Sequence, residues 1–202
     1  MSFDTLGVQH LSRVFDAATL ADLRADLDAL ALDSHPWMGP RGKTGSLLTR
    51  PNLHTREVWA QALATPALVD PLRAILKSPP TIAESMAIVK PPVDGQPFPW
   101  HQDSAYYGDP KRTYVIATLY LDDSTEDNGP ILFLAGSHTK GVRPHDPSGG
   151  KKVLHLSPSP EEIINPHAKA GDVTLAHFHT VHGSKPNTSG ASRRQIRVVF
   201  TT

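Results

Sequence analysis

The residues on either side of Pro79-Pro80 follow different periods, and this break constrains the fold more than any other feature of the chain. Before it, Leu20, Leu23, Leu27 and Leu30 recur at helical spacing, with Asp22, Arg24, Asp26 and Asp28 between them. Asp16 is placed to cap that helix, which is expected to run to about Leu32 after a short strand within Gly7–Phe15. Residues 55–63 and 66–76 read as two further helices, the second opening on Pro66. Between them and the first helix, Asp33 to Asn52 carries Pro36, Gly39, Pro40, Gly42, Gly45 and Pro51. It reads as a loop, and a loop of that length is a candidate substrate lid.

After the break the helical period disappears. Thr81–Lys90, Thr113–Leu121, Ile131–Leu134, Val173–His179 and Gln195–Thr201 read as strands, with β-branched and aromatic content rather than strict alternation as the signal. Gly and Pro punctuate them, and residues 139–170 are mostly loop. Helices first and short strands afterwards predict a mainly β, α+β domain on antiparallel sheets, with a double-sheet jelly roll as the natural form. At 202 residues one substantial core is expected, so 1–202 reads as one domain with a helical part over 1–78 and a β core over 79–202.

Lys plus Arg and Asp plus Glu both number 20, so no charged footprint for nucleic acid or an anionic membrane is expected. Without cysteine there is no disulfide, thiolate nucleophile or iron–sulfur cluster. The N-terminus lacks the basic and apolar regions of a signal peptide, and no apolar run is long enough to span a bilayer. The expectation is a soluble, cytoplasmic protein acting on a small molecule.

Pro99-Trp100-His101-Gln102-Asp103 carries the chemistry. In an extended segment His101 and Asp103 point to one face and can reach one metal ion. A third ligand must come from elsewhere, and His177, His179 and His182 compete for that place. If their strand stays regular, alternation sets His177 and His179 on one face and His182 on the other. Two histidines and one carboxylate make the facial triad of non-haem Fe(II) oxygenases. Such a site needs a two-electron donor, commonly 2-oxoglutarate, whose remote carboxylate calls for a fixed cation such as Arg193.

The wider grammar resembles the phytanoyl-CoA dioxygenase family of Fe(II)/2-oxoglutarate oxygenases. The matching words are Lys90-Pro91-Pro92, Trp100-His101-Gln102-Asp103, Leu121-Asp122-Asp123 through Asn128-Gly129-Pro130, and Gly136-Ser137-His138. Ala170-Gly171-Asp172-Val173, His182-Gly183-Ser184 with Asn187, and Arg193-Arg194 complete the series. The resemblance implies a double-stranded β-helix (a cupin-like jelly roll) with the N-terminal helices packed on one sheet. It implies His101, Asp103 and His182 as metal ligands. Arg193 would hold 2-oxoglutarate with help from Ser184, and Thr118 would touch it. Tyr106 and Tyr107 are candidates for the substrate pocket, Gln102 reads as structural, and His138, His145, His155 and His167 read as surface histidines.

The activity so implied is hydroxylation of an unactivated C–H bond in a small metabolite or natural-product intermediate, using Fe(II), 2-oxoglutarate and O2 and releasing succinate and CO2. Related halogenases lack a carboxylate at the Asp103 position, so its presence argues against halogenation. The chain is shorter than most relatives and has Ala135 where proline is frequent, so a homodimer or partner subunit could complete the pocket wall. The rival readings are a non-catalytic accessory or sensor subunit on the same fold and a cupin-like metal-dependent hydrolase or isomerase.

Overall fold

A computed structural model describes residues 2–30, 33–38, 44–92, 95–106, 109, 112–147 and 152–202, and for 33–38 and 44–47 the backbone only. The helical part comprises α1 (Phe3–Leu6), α2 (Ala17–Asp28), α3 (Glu57–Leu63) and α4 (Pro66–Leu76). Asp16 caps α2 by accepting from the Thr19 amide at 2.8 Å, and Leu20, Leu23 and Leu27 form its buried stripe. The helix stops at Asp28, four residues before the sequence expectation, while Leu30 still packs on the core.

The strands are β1 (Val8–Leu11), β2 (Asp33–Met38), β3 (Thr44–Pro51), β4 (Thr81–Lys90), β5 (Phe98–His101), β6 (Tyr114–Tyr120), β7 (Ile131–Leu134), β8 (Ile163–Ile164), β9 (Val173–His177), β10 (His182–Ser184) and β11 (Arg193–Thr201). They form a seven-stranded sheet in the order β1-β9-β6-β11-β4-β3-β2 and a four-stranded sheet in the order β5-β10-β7-β8. Every described strand pair is antiparallel, and the two sheets make the double-stranded β-helix that the resemblance implied.

The stretch read as a loop from Asp33 to Asn52 is instead a hairpin, β2 paired with β3, that extends the large sheet. Its Pro and Gly content misled because β2 is an edge strand, where a missing backbone donor costs no ladder bond. The lid reading fails for the strands, which are hydrogen-bonded into the large sheet, and residues 39–43 lie outside the described residues.

The centre of the large sheet, β6, β9 and β11, is buried on both faces, which explains why β6 reads as a nearly continuous apolar run. Ala87, Val89, Val115, Ala117, Leu119, Ile196 and Val198 point to the helical side, into a core with Leu23, Leu27, Trp59, Leu68 and Leu72. The alternate positions on the same strands point inward between the sheets. There Met86, Ile88, Lys90, Ile116, Thr118, Arg193, Gln195 and Arg197 line a cavity. Among the described residues no helix is long and apolar enough to cross a membrane.

Candidate metal centre and co-substrate pocket

His101 and His182 are brought together by register: β5 and β10 pair so that the two residues face each other, with ring centroids 4.2 Å apart. Asp103 follows the extended Gln102 and opens a 3-10 turn, so the two-residue spacing keeps its carboxylate on the His101 side. One ligand atom from each of His101, Asp103 and His182 lies within 4.8 Å of the others, and all three residues are buried. Among the described residues this is the sole such group.

The hydrogen bonds around the triad suit a divalent cation. His101 Nδ1 contacts the Pro99 carbonyl at 2.9 Å, and His182 Nδ1 contacts the Thr180 carbonyl at 3.0 Å. A carbonyl can only accept, so each Nδ1 carries the proton and each Nε2 keeps its lone pair for a metal. Asp103 Oδ2 accepts from Arg197 Nε at 3.1 Å, and Oδ1 lies 3.6 Å from His101 Nε2. Burial pushes the Asp103 carboxyl up, but Arg197 and the two imidazoles outweigh it and hold the group ionised, far below the usual carboxylate range. Burial, then the neighbouring His101, pushes His182 down to about 4, so its ring is neutral and ready to ligate.

The competing histidines lie elsewhere. β9 ends at His177 and the chain turns through Phe178 and His179, so the regular alternation assumed for this stretch stops there. His177 stacks against His138 at 5.2 Å and His179 at 5.1 Å, outside the cavity. Two histidines read as surface residues are not. His138 is half-buried in that cluster, and half-buried His145 accepts the Gln102 amide at 3.1 Å. His155 and His167 are exposed, as expected. Gln102 is fully buried. Its side chain donates to Gly141 and His179 carbonyls and accepts from the Arg143 amide, tying three segments together behind His101 and Asp103.

The cavity measures about 320 Å³, and the triad lines its wall. Arg193, Ser184 and Thr118 all line it, as does Tyr106, while Tyr107 lies outside the described residues. Arg193 is 2 % exposed; its Nη1 donates to Gln195 Oε1, while its Nε and the Gln195 Nε2 are buried donors with no hydrogen-bond partner. Burial lowers the Arg193 guanidinium to about 10, which leaves it charged. Buried donors converging in this way fit an anionic ligand.

Several lining residues escaped the sequence reading, chiefly Lys90, Gln195, Arg197 and Glu84. Period-two spacing from Arg193 would have found Gln195 and Arg197. Arg197 bridges Asp103 to Glu84, whose Oε1 it reaches at 2.8 Å. Other family words prove structural. Asn187 donates to the Lys90, Pro91 and Ala191 carbonyls and accepts from Ser189. Arg194 pairs with Asp122 and Asp28 on the opposite face from Arg193. Asp172 accepts from the Arg13 and Lys169 amides. Gly129, at φ +83°, has no room for a side chain against the Lys185 carbonyl and the Lys90 stem.

Residues 3–195 match the family model for phytanoyl-CoA dioxygenase (PhyH). A probable alpha-ketoglutarate-dependent hypophosphite dioxygenase from Stutzerimonas stutzeri is 28% identical over 96% of this chain and 74% of its own length. An ectoine dioxygenase from Bordetella bronchiseptica is 29% identical over 72% of this chain, which spans only 54% of that relative. The crystal structure of EvdO2 from Micromonospora carbonacea var. aurantiaca, complexed with 2-oxoglutarate, superposes with a TM-score of 0.78. It covers 99% of this chain and 88% of that one at 24% identity, a likeness of fold.

Proposed function

The chain belongs to the phytanoyl-CoA dioxygenase family, and from that premise we propose that it is an Fe(II)- and 2-oxoglutarate-dependent dioxygenase that hydroxylates a small molecule. The observation that carries this reading is the pairing, in one cavity, of a two-histidine, one-carboxylate cluster with a buried arginine whose Nε lacks a partner. Bound at such a cluster, Fe(II) with 2-oxoglutarate and O2 supplies the oxidising power for C–H hydroxylation, leaving succinate and CO2.

His101 and His182 offer Nε2, and Asp103 offers a carboxylate oxygen while Arg197 restrains the other. These three residues would hold the metal at the wall of the cavity that receives the co-substrate. Arg193 receives the remote carboxylate, with the Ser184 hydroxyl and Thr118 beside it. Met86, Ile88, Phe98, Ile116, Ile131 and Phe133 keep water from the reacting carbon, and Tyr106 stands at the substrate side. The cavity volume falls at the low end of small-ligand pockets, which favours a compact metabolite. A cytoplasmic location and one oxygenase domain over 1–202 belong to the same reading.

Anaerobic addition of Fe(II) and 2-oxoglutarate should produce the weak visible charge-transfer band of the chelate. His182→Ala should abolish the band, and Arg193→Ala should demand far more 2-oxoglutarate to reach it. A folded protein that gives no band would reject the dioxygenase reading in favour of a non-catalytic subunit.

A further inference from the structure

Lys90 and Arg193 stand directly opposite each other on β4 and β11, and both side chains enter the cavity. Both are almost fully buried, at 1 % and 2 % exposure. Two cations placed opposite each other on paired strands repel, and burial multiplies the cost unless an anion lies between them. No carboxylate forms an ion pair with Lys90 among the described residues. Its Nζ donates to the Lys185 carbonyl, a neutral acceptor that a lysine can use without its charge.

The charged groups around Lys90 are otherwise committed. On its own strand Glu84 pairs with Arg197, and on β11 Arg197 also holds Asp103. Across the small sheet stand the triad residues His101, Asp103 and His182. The Lys185 ammonium reaches Glu126, and Tyr120 and Asp122 act on Arg193. Beside the two cations sit the Gln195 Nε2 and Arg193 Nε, both buried donors without a partner.

We propose that Lys90 and Arg193 form a two-cation clamp on the remote carboxylate of 2-oxoglutarate, and that Lys90 takes up a proton from solvent as the co-substrate binds. This rests on the dioxygenase reading of the same cavity. Burial and the nearby Arg193 push Lys90 down to about 6, so before binding it is neutral at pH 7.5. An entering carboxylate compensates both charges and raises the lysine again. Arg193 supplies the permanent charge; Lys90 supplies one that exists only with an anion in place.

The test is calorimetry of 2-oxoglutarate binding to Mn(II)-loaded protein without O2, at pH 7.5, in buffers of different ionisation enthalpy. The wild type should take up close to one proton more than Lys90→Met, and the substitution should raise Kd roughly 10- to 100-fold. Mn(II) affinity and the thermal midpoint of the metal-free variant serve as folding controls, with Lys90→Gln as the second variant. Raising pH above about 6 should weaken wild-type binding by up to tenfold per unit, and should leave Lys90→Met without that slope. Equal Kd and equal proton uptake in wild type and variants would overturn the clamp. If the metal-loaded wild type binds no 2-oxoglutarate at all, the dioxygenase reading fails and takes the clamp with it.

Discussion

Asn187 makes the strongest claim of any single residue on the pocket's architecture, although it does not line the cavity. Its fully buried amide donates to three carbonyls, two of them at Lys90 and Pro91 and one at Ala191, just before Arg193. Its oxygen accepts from the Ser189 amide at 3.0 Å and hydroxyl at 2.7 Å. One side chain thereby ties together the ends of the two strands that carry the cations. Removing it leaves several buried acceptors without donors, each costing about 1–3 kcal/mol. Asn187→Ala should therefore destabilise the fold by about 2–4 kcal/mol in urea titrations. It should also weaken 2-oxoglutarate binding while leaving metal affinity in place. Asn187→Asp should be at least as damaging, because a carboxylate cannot donate to carbonyls. An Asp variant of wild-type stability would show that the three donations do not hold the segment.

At the scale of elements, the large sheet divides its labour by face. α2, α3 and α4 pack on one side, and the residues proposed to hold metal and co-substrate line the cavity on the other. Leu72 of α4 is fully buried in the helical-side core. Leu72→Ala should cost about 2–4 kcal/mol of stability, read by thermal or urea unfolding, with Mn(II) and 2-oxoglutarate affinities unchanged at temperatures where the variant is folded. A parallel loss of affinity would mean that the faces are coupled through the strands. The same division explains what was legible beforehand. α2 announced itself because its apolar residues recur locally and Asp16 caps it, and β6 because β-branched and aromatic residues crowd one short run. His101 and Asp103 were visible because their relation is two residues long. The hairpin β2–β3 was hidden, since an edge strand tolerates the proline that marks loops elsewhere. Lys90 was hidden for another reason. It meets Arg193 through antiparallel pairing of strands distant in the chain, and no local period encodes register. The choice among His177, His179 and His182 likewise depended on where β9 stops, a boundary set by the turn at Phe178-His179.

For the whole molecule, the buried bases set the direction in which stability depends on pH. Burial, then the neighbouring His179 and His138, pushes His177 down to about 4, and burial with His101 does the same to His182, against 6.5 for a free imidazole. Between about pH 4 and 6.5 the unfolded chain therefore binds more protons than the metal-free native state, so stability falls as pH drops through that window. Lys90 extends the trend upward: neutral in the fold down to about 6 and charged when unfolded up to 10.5, it adds stability as pH rises between those values. Asp103 acts in the same sense but lower on the pH scale. Its depressed carboxyl contributes stability above the ordinary carboxylate value of 3.8 and loses it only below, outside this window. Metal-free protein should thus lose stability steadily from about pH 9 to pH 4, as followed by urea midpoints. Bound metal should sharpen the acid side, because protons compete for the histidine ligands. His177→Asn isolates one contributor, since its side-chain oxygen can still accept the His179 amide that now bonds to Nδ1 at 3.0 Å. The variant should flatten the fall between pH 6.5 and 4 by up to the slope of one proton, about 1.4 kcal/mol per pH unit. Unchanged slope in His177→Asn would place the acid sensitivity on His182 and its neighbours instead, and would make the metal centre itself the element of the fold most exposed to acid.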